Sequence, residues 1–499
     1  MRSARPLCRG TPQTTKERND TMNNHQGIAR TYPGEFDFTR YYRILDRLNP
    51  IRVNGKVTEV IGLMVEGHGP ATFVGEMCHI DSNGGSRSLR AEVVGFRRGK
   101  VLLMPLDDMK GIGPGCRIIS LGKKAVVRVG PELLGRVLDG IGNPIDDRGA
   151  FSWEEEYPLY AEPINPLKRG RISEAMDLGI RSVNALLSCG KGQKMGIFSG
   201  SGVGKSILLG MIARYTRADV NVIALIGERG REVREFIEKN LSKEGLARSV
   251  VVVATSDRHP LIRMRAAYMA TAIAEYFRDQ GKDVLLMVDS LTRFAMAQRE
   301  VGLSVGEPPA TKGYTPSVFS LMPKLLERVG AVEGKGSITG LYNVLVEGDD
   351  FNEPISDAAR SILDGHLSLS RALASKNHYP AVDILDSVSR VMIDVVDEEQ
   401  RRRANEVINI MATYKKAEDL INIGAYVEGS NPEIDHAIRM IDRVNRFLRQ
   451  DISERVNFEE SKRALFALFD EETPAKILAG SREADKASGH RVLKEEPRP

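Results

Sequence analysis

The chain has 499 residues, 41% hydrophobic and 28% charged, so it lies in the ordinary globular range and is long enough for two to four domains. Its 71 Lys and Arg nearly balance 67 Asp and Glu, a net charge of +4 that gives no basic footprint and predicts no specific nucleic-acid partner. Cys8, Cys78, Cys116 and Cys189 lack metal-ligand or redox spacing, which reads as reduced thiols, and no stretch reaches the ~18 apolar residues of a membrane span, which predicts a soluble chain, peripheral at a membrane at most.

Residues 1–35 read as a disordered leader, of which the polar stretch Met1–Asp20 alternatively precedes a true start at Met22. Between a capping Asp37 and Pro50, Phe38, Tyr41, Tyr42, Leu45 and Leu48 recur at helical spacing. That short helix either packs on its own domain or docks a partner. Runs such as KVTEVIGLMVEG and RAEVVGFRRGKVLLMPL, broken by Gly and Asn turns, predict a small β-barrel, giving a helix-and-barrel domain over 36–118. Over 119–395 the strands KMGIFSG, VNVIALIGE, SVVVVATS, DVLLMVDS and SITGLYNVLV alternate with helix-length segments, the pattern of a parallel sheet with crossover helices. The fold class is α/β, with a P-loop core following the barrel. Strand signals stop near Asp397; 396–471 reads as a C-terminal helical domain and 472–499 as a charged tail.

The segment IFSGSGVGKS follows an apolar strand and precedes the helix-forming run ILLGMIARY, as a phosphate-binding loop requires. Gly-Lys occurs seven times, yet only Gly204-Lys205 is followed by Ser or Thr, and only that pair sits between strand and helix. Gly200, Gly202 and Gly204 allow backbone conformations that aim successive N–H groups at a phosphate beside a helix N-terminus. Lys205 is placed for the β/γ-phosphates and Ser206 for Mg²⁺. The ATP cradle is therefore Ser199, Gly200, Ser201, Gly202, Val203, Gly204, Lys205, Ser206 and Ile207, with Ser199 standing where the motif ordinarily has its first glycine.

DVLLMVDS ends in Asp289, a carboxylate at a strand tip, where an aspartate orients Mg²⁺ or caps a helix. VNVIALIG likewise ends in Glu228 beside Arg229. These read either as a water-activating carboxylate with a phosphate-contacting guanidinium or as a surface salt bridge.

The order GRVLDGIGNPID, GIFSGSGVGKS, IGERGREV, VLLMVDSLTRFAMAQRE, GYTPSVFSLMPKLLERVG and YPAVDILDSVSR resembles the catalytic subunits of rotary ATP synthases and the type III export ATPases over Phe36 to about Asp470. EPPATKGYTPSVFSLMPKLLERVG and LINIGAYVEGSNPEIDHAI are most similar to the flagellar export ATPases, with injectisome ATPases close behind. The resemblance implies a RecA-like core hydrolysing ATP with Mg²⁺, in which Glu228 aligns water, Arg229 and Arg293 face the phosphates and Asp289 holds the metal's shell through water. Tyr379 matches an adenine-stacking aromatic. Arg390 matches a finger supplied by an adjacent subunit; an internal salt bridge is its alternative. Glu228 sets the chain apart from non-catalytic ring subunits. The implied assembly is a homo-hexamer, peripheral at the cytoplasmic face of the inner-membrane export apparatus. Its implied partners are a stator-like regulator at the N-terminal helix, a stalk-like central protein, the export gate, chaperones and cargo. An RNA-translocating terminator-type ring shares the core, but the barrel sequence lacks the aromatic-basic pattern such a ring needs.

Overall fold

The structure, a computed structural model, describes residues 53–82, 87–346, 350 and 353–470, together with Tyr42. The leader, the charged tail and, apart from Tyr42, the helix expected over Phe36–Leu48 lie outside the described residues.

Six strands, Gly55–Ile61, Met64–His68, Glu76–Asp81, Ser88–Arg97, Lys100–Pro105 and Arg117–Lys124, close into an antiparallel barrel in the order first, second, fifth, fourth, third, sixth. Alternate side chains, among them Val57, Val65, Ile80, Val93, Leu103 and Ile118, fill its interior. Closure leaves no long unpaired edge. Burial pushes the Cys78 thiol up to about 12, so it packs as an inert apolar group.

The core is an eight-stranded sheet in the spatial order Val382–Ser389, Gly365–Leu369, Lys194–Ser199, Ser337–Leu345, Asp283–Asp289, Val220–Ile226, Ser249–Ala254, Val137–Asp139. All neighbours run parallel except Val382–Ser389, which is antiparallel to Gly365–Leu369. Runs such as VNVIALI and SVVVVA are buried along their whole length, the signature of strands covered on both faces. The 20-residue helix Pro260–Asp279 supplies part of that cover, and its alanines let it lie close to the sheet.

All five strands read from the sequence are present, and the fold class is as expected. The reading missed Val137–Asp139, Gly365–Leu369 and Val382–Ser389. These are short or lie at the edge half-exposed, so their residues do not carry an unbroken apolar run.

Two buried polar joints fix the flanking parts on the core. Arg265 of helix Pro260–Asp279 pairs with Glu92 of the barrel, which also accepts from Tyr160 Oη at 2.7 Å. Arg181, 2% exposed, donates from Nη1 to the carbonyls of Phe447 and Arg449 at 3.1 and 2.9 Å. It thereby holds the chain between the C-terminal helices Pro432–Leu448 and Phe458–Ala467. The third C-terminal helix, Glu398–Asn422, is buried through Val407 and Ile410 in the same apolar cluster as Val444, Phe447 and Leu465. Among the described residues no helix is long and apolar enough to cross a membrane.

Candidate active site

The site forms where three parallel strands end. Lys194–Ser199 runs into the loop before helix Lys205–Tyr215, Val220–Ile226 delivers Glu228 two residues beyond its tip, and Asp283–Asp289 ends on Asp289. Ligands of open α/β sheets bind outside these carboxyl ends. In the loop, Gly202 and Gly204 adopt left-handed φ of 77° and 89°, which a side chain would strain. Gly204 is the residue from which the helix starts, so the loop's N–H groups and the positive helix end share one place.

Lys205 Nζ lies 2.7 Å from Asp289 Oδ1 and 3.7 Å from Glu228 Oε1. These three charges are 14%, 5% and 18% exposed, so the cluster is largely shielded from water. Burial, then the negative charge of Asp289, raises the Glu228 carboxyl to about 7; Lys205 opposes the shift. Protonated Glu228 also donates to Glu232, whose own carboxyl is correspondingly lowered. A carboxyl titrating near neutrality is suited to accept a proton from water near physiological pH.

The flanking candidates separate into three groups. Tyr379 packs on the phosphate loop: a Cβ added to Gly204 would lie 3.2 Å from its ring. With Ile207, Met211, Leu369, Gln450 and Ile452 it lines a cavity of about 360 Å³. Arg293 lays its aliphatic stem across Gly227, whose φ of 71° and missing side chain make that approach possible, one residue from Glu228. Arg229 points outward, 82% exposed and 3.9 Å from Glu232, and Ser206 is exposed on the first turn of its helix.

Arg390 stands apart from its own phosphate loop. The antiparallel strand Val382–Ser389 starts beside Leu369, at the site end of the sheet, and finishes beside Gly365, at the opposite end. The bulged strand runs past only four residue steps of Gly365–Leu369, so at ~3.3 Å per step it sets its Arg390 end about 13 Å along the sheet from the Val382 end. Arg390 is exposed there; its N–H donates to Asp364 O at 3.0 Å, and its guanidinium makes a long contact of 3.4 Å with Arg360 O.

Sequence reasoning missed Asn343, whose Nδ2 donates to Asp289 Oδ1 at 2.6 Å, and Gln450, which closes the cavity from the C-terminal side. An amide near the tip of the apolar run SITGLYNVLV was the available signal for Asn343. Nothing local marks Gln450, because it reaches the cavity only through tertiary packing.

The family model described as the nucleotide-binding domain of the ATP synthase alpha/beta family matches residues 179–389, that of the family's beta-barrel domain 57–122, and that of the T3SS EscN ATPase C-terminal domain 396–467. The chain is 54% identical over 415 residues to the Bacillus subtilis flagellum-specific ATP synthase, covering 83% of this chain and 94% of that protein. It is 50% identical over 417 residues to a type 3 secretion system ATPase of Xanthomonas euvesicatoria, covering 84% and 94%. The assembled ATPase EscN of the enteropathogenic E. coli type III secretion system superposes with a TM-score of 0.79 at 47% identity, over 83% of this chain and 99% of that one. The same ATPase in complex with its central stalk EscO gives 0.77 at 46%, with the same coverage.

Proposed function

The chain belongs to the flagellar and type III secretion ATPases of the ATP synthase alpha/beta family, enzymes that energise type III export, and from that premise we propose that it serves flagellar export as a homo-hexamer. The observation that carries the catalytic part is the buried cluster of Lys205, Glu228 and Asp289 at the tips of three strands. Lys205 and the loop Ser199–Ile207 bind the ATP phosphates, and Glu228 holds the attacking water and takes its proton. The adenine of ATP lies in the cavity beside Tyr379. Arg293 lies next to Glu228, in reach of the phosphates' side of the cluster.

Mg²⁺ binds through one or two protein oxygens, several waters and the substrate's phosphates. Ser206 on the first helical turn and Asp289 at the neighbouring strand tip are a donor set of that kind, Asp289 acting through water. When bound, the ion neutralises charge that develops on the β- and γ-phosphate oxygens.

The ring follows from where Arg390 and Arg229 lie. Arg390 cannot reach the phosphate loop of its own chain, so its role as a finger requires a second copy whose loop faces it. Arg229, exposed on the site side, is free to turn inward once an interface covers it. A central stalk like that of EscN is the proposed axial partner. A stator-like regulator docking at Phe36–Leu48, the export gate, chaperones and cargo are the others, and the place of action is the cytoplasmic face of the inner-membrane export apparatus. Injectisome export is the second reading, favoured by the 50% identity to the Xanthomonas secretion ATPase. Deleting the gene tests the choice: loss of motility supports flagellar export, loss of effector secretion supports the second reading, and only a hydrolysis-competent copy should restore either.

A further inference from the structure

The strand Ser337–Leu345 lies between the strand that leads into the phosphate loop and the strand that ends on Asp289. Its neighbours at the tip, Tyr342 and Val344, are fully buried and fill space as an apolar core residue does. Asn343 between them is 1% exposed, yet its side chain is polar. Packing alone gives no reason for an amide there, since a buried amide carries a desolvation cost unless both ends are bonded.

Both ends are bonded, and to the site. Nδ2 donates to Asp289 Oδ1 at 2.6 Å, and Oδ1 accepts from Ser199 Oγ at 3.4 Å. A carboxylate can only accept, and a hydroxyl can donate, so the orientation of the amide follows from its partners. Ser199 is the residue that departs from the ordinary glycine at the start of the phosphate loop. Its hydroxyl thus acquires a purpose that the loop itself does not supply. Lys205 Nζ donates to the same Asp289 oxygen at 2.7 Å.

We propose that Asn343 is the positioning residue for Asp289, backed by Ser199, and that it keeps the carboxylate aimed for the metal's water shell while Lys205 turns to the phosphates. The inference rests on the reading of Asp289 as the residue that orders that shell. Two donors on Oδ1 restrict rotation of the carboxylate. When a nucleotide draws Lys205 away, Asn343 is the donor that remains, fixed by its own strand in the sheet. Groups that orient a metal's ligands from behind commonly change metal affinity or activity by about 10–100-fold when removed.

The test uses the full chain. Asn343→Leu keeps the volume and removes the amide; binding of a fluorescent ATP analogue is titrated with Mg²⁺ and without it, alongside turnover and thermal unfolding. The expected result is a rise of about ten-fold in the Mg²⁺ concentration at half-effect and a fall of about ten-fold in kcat. Metal-free nucleotide binding should be unchanged. Ser199→Ala should give a smaller shift in the same direction, and adding it to Asn343→Leu should cost nothing further. If Asn343→Leu does not fold, Asn343→Thr, which keeps a hydroxyl donor, is read the same way and should shift the Mg²⁺ requirement less than ten-fold. Asp289→Asn is measured in parallel. If it moves the Mg²⁺ requirement while neither Asn343 variant does, the positioning role is overturned and the site reading stands. If it leaves the requirement unmoved, the reading of Asp289 fails first. Equal loss of metal-free and Mg²⁺-dependent binding in the Asn343 variants would also overturn the proposal.

Discussion

Glu228→Gln separates the chemistry of the site from its architecture, because the two respond with opposite signs. The substitution preserves shape and removes only the titrating charge. In the nucleotide-free protein, burial and the nearby Asp289 carboxylate raise Glu228 from 4.5 to about 7. A folded-state pKa above the unfolded one contributes stability below about pH 4.5 that is lost as pH rises through about 7. At about 1.4 kcal/mol per pH unit, the interval corresponds to roughly 3 kcal/mol, an upper figure because Lys205 shares the charge. Thermal unfolding without nucleotide should therefore find Glu228→Gln close to the parent at pH 5 and several degrees more stable at pH 8. Turnover at saturating ATP should instead fall by about 10²–10⁴-fold, the range for loss of a general base. An equal shift in unfolding temperature at both pH values would refute the account of what raises the carboxyl. Near-normal turnover would refute its role with water.

Lys205→Ala should abolish measurable turnover and weaken nucleotide binding, read by the same fluorescent analogue. Tyr379→Ala should raise the KM for ATP by about 5–150-fold, the value of one stacked base, with kcat little changed and Tyr379→Trp near normal. Arg390→Ala alone should lose three to five decades of rate. Mixing inactive Lys205→Ala and Arg390→Ala subunits in equal amounts should restore about one quarter of wild-type turnover, since about one interface in four then joins an intact lysine to an intact arginine; no recovery after subunit exchange would remove the shared site. Arg265→Met strands Glu92 in the joint between barrel and core and should cost about 3–5 kcal/mol in denaturant unfolding.

The legible parts of the sequence were those whose signal is local. The five strands read from the sequence are predominantly apolar and buried almost throughout, and the phosphate loop combines glycines, a lysine and a hydroxyl in one decapeptide. Glu228 and Asp289 could be named because each closes such a strand. Tertiary contacts stayed illegible: Gln450 meets the cavity from more than 200 residues beyond the loop, and Asn343 acts across two strand neighbours. Val382–Ser389 was missed for a related reason. As an antiparallel edge strand with alternate residues exposed, it lacks the apolar run of the interior strands. Yet it is the element that gives the proposed ring its geometry. Tyr379 lies just before it, against its own chain's phosphate loop, and Arg390 lies just after it, at the far end of the sheet. If the ring forms as proposed, one short strand carries a base-contacting group for one site and a phosphate-contacting group for the next. A shift of that strand when nucleotide fills the cavity would then move the finger of the adjacent site. Coupling between neighbouring sites, read as the Hill coefficient of ATP turnover, should consequently weaken when the strand is loosened near its middle, at Asp386, which does not line the cavity.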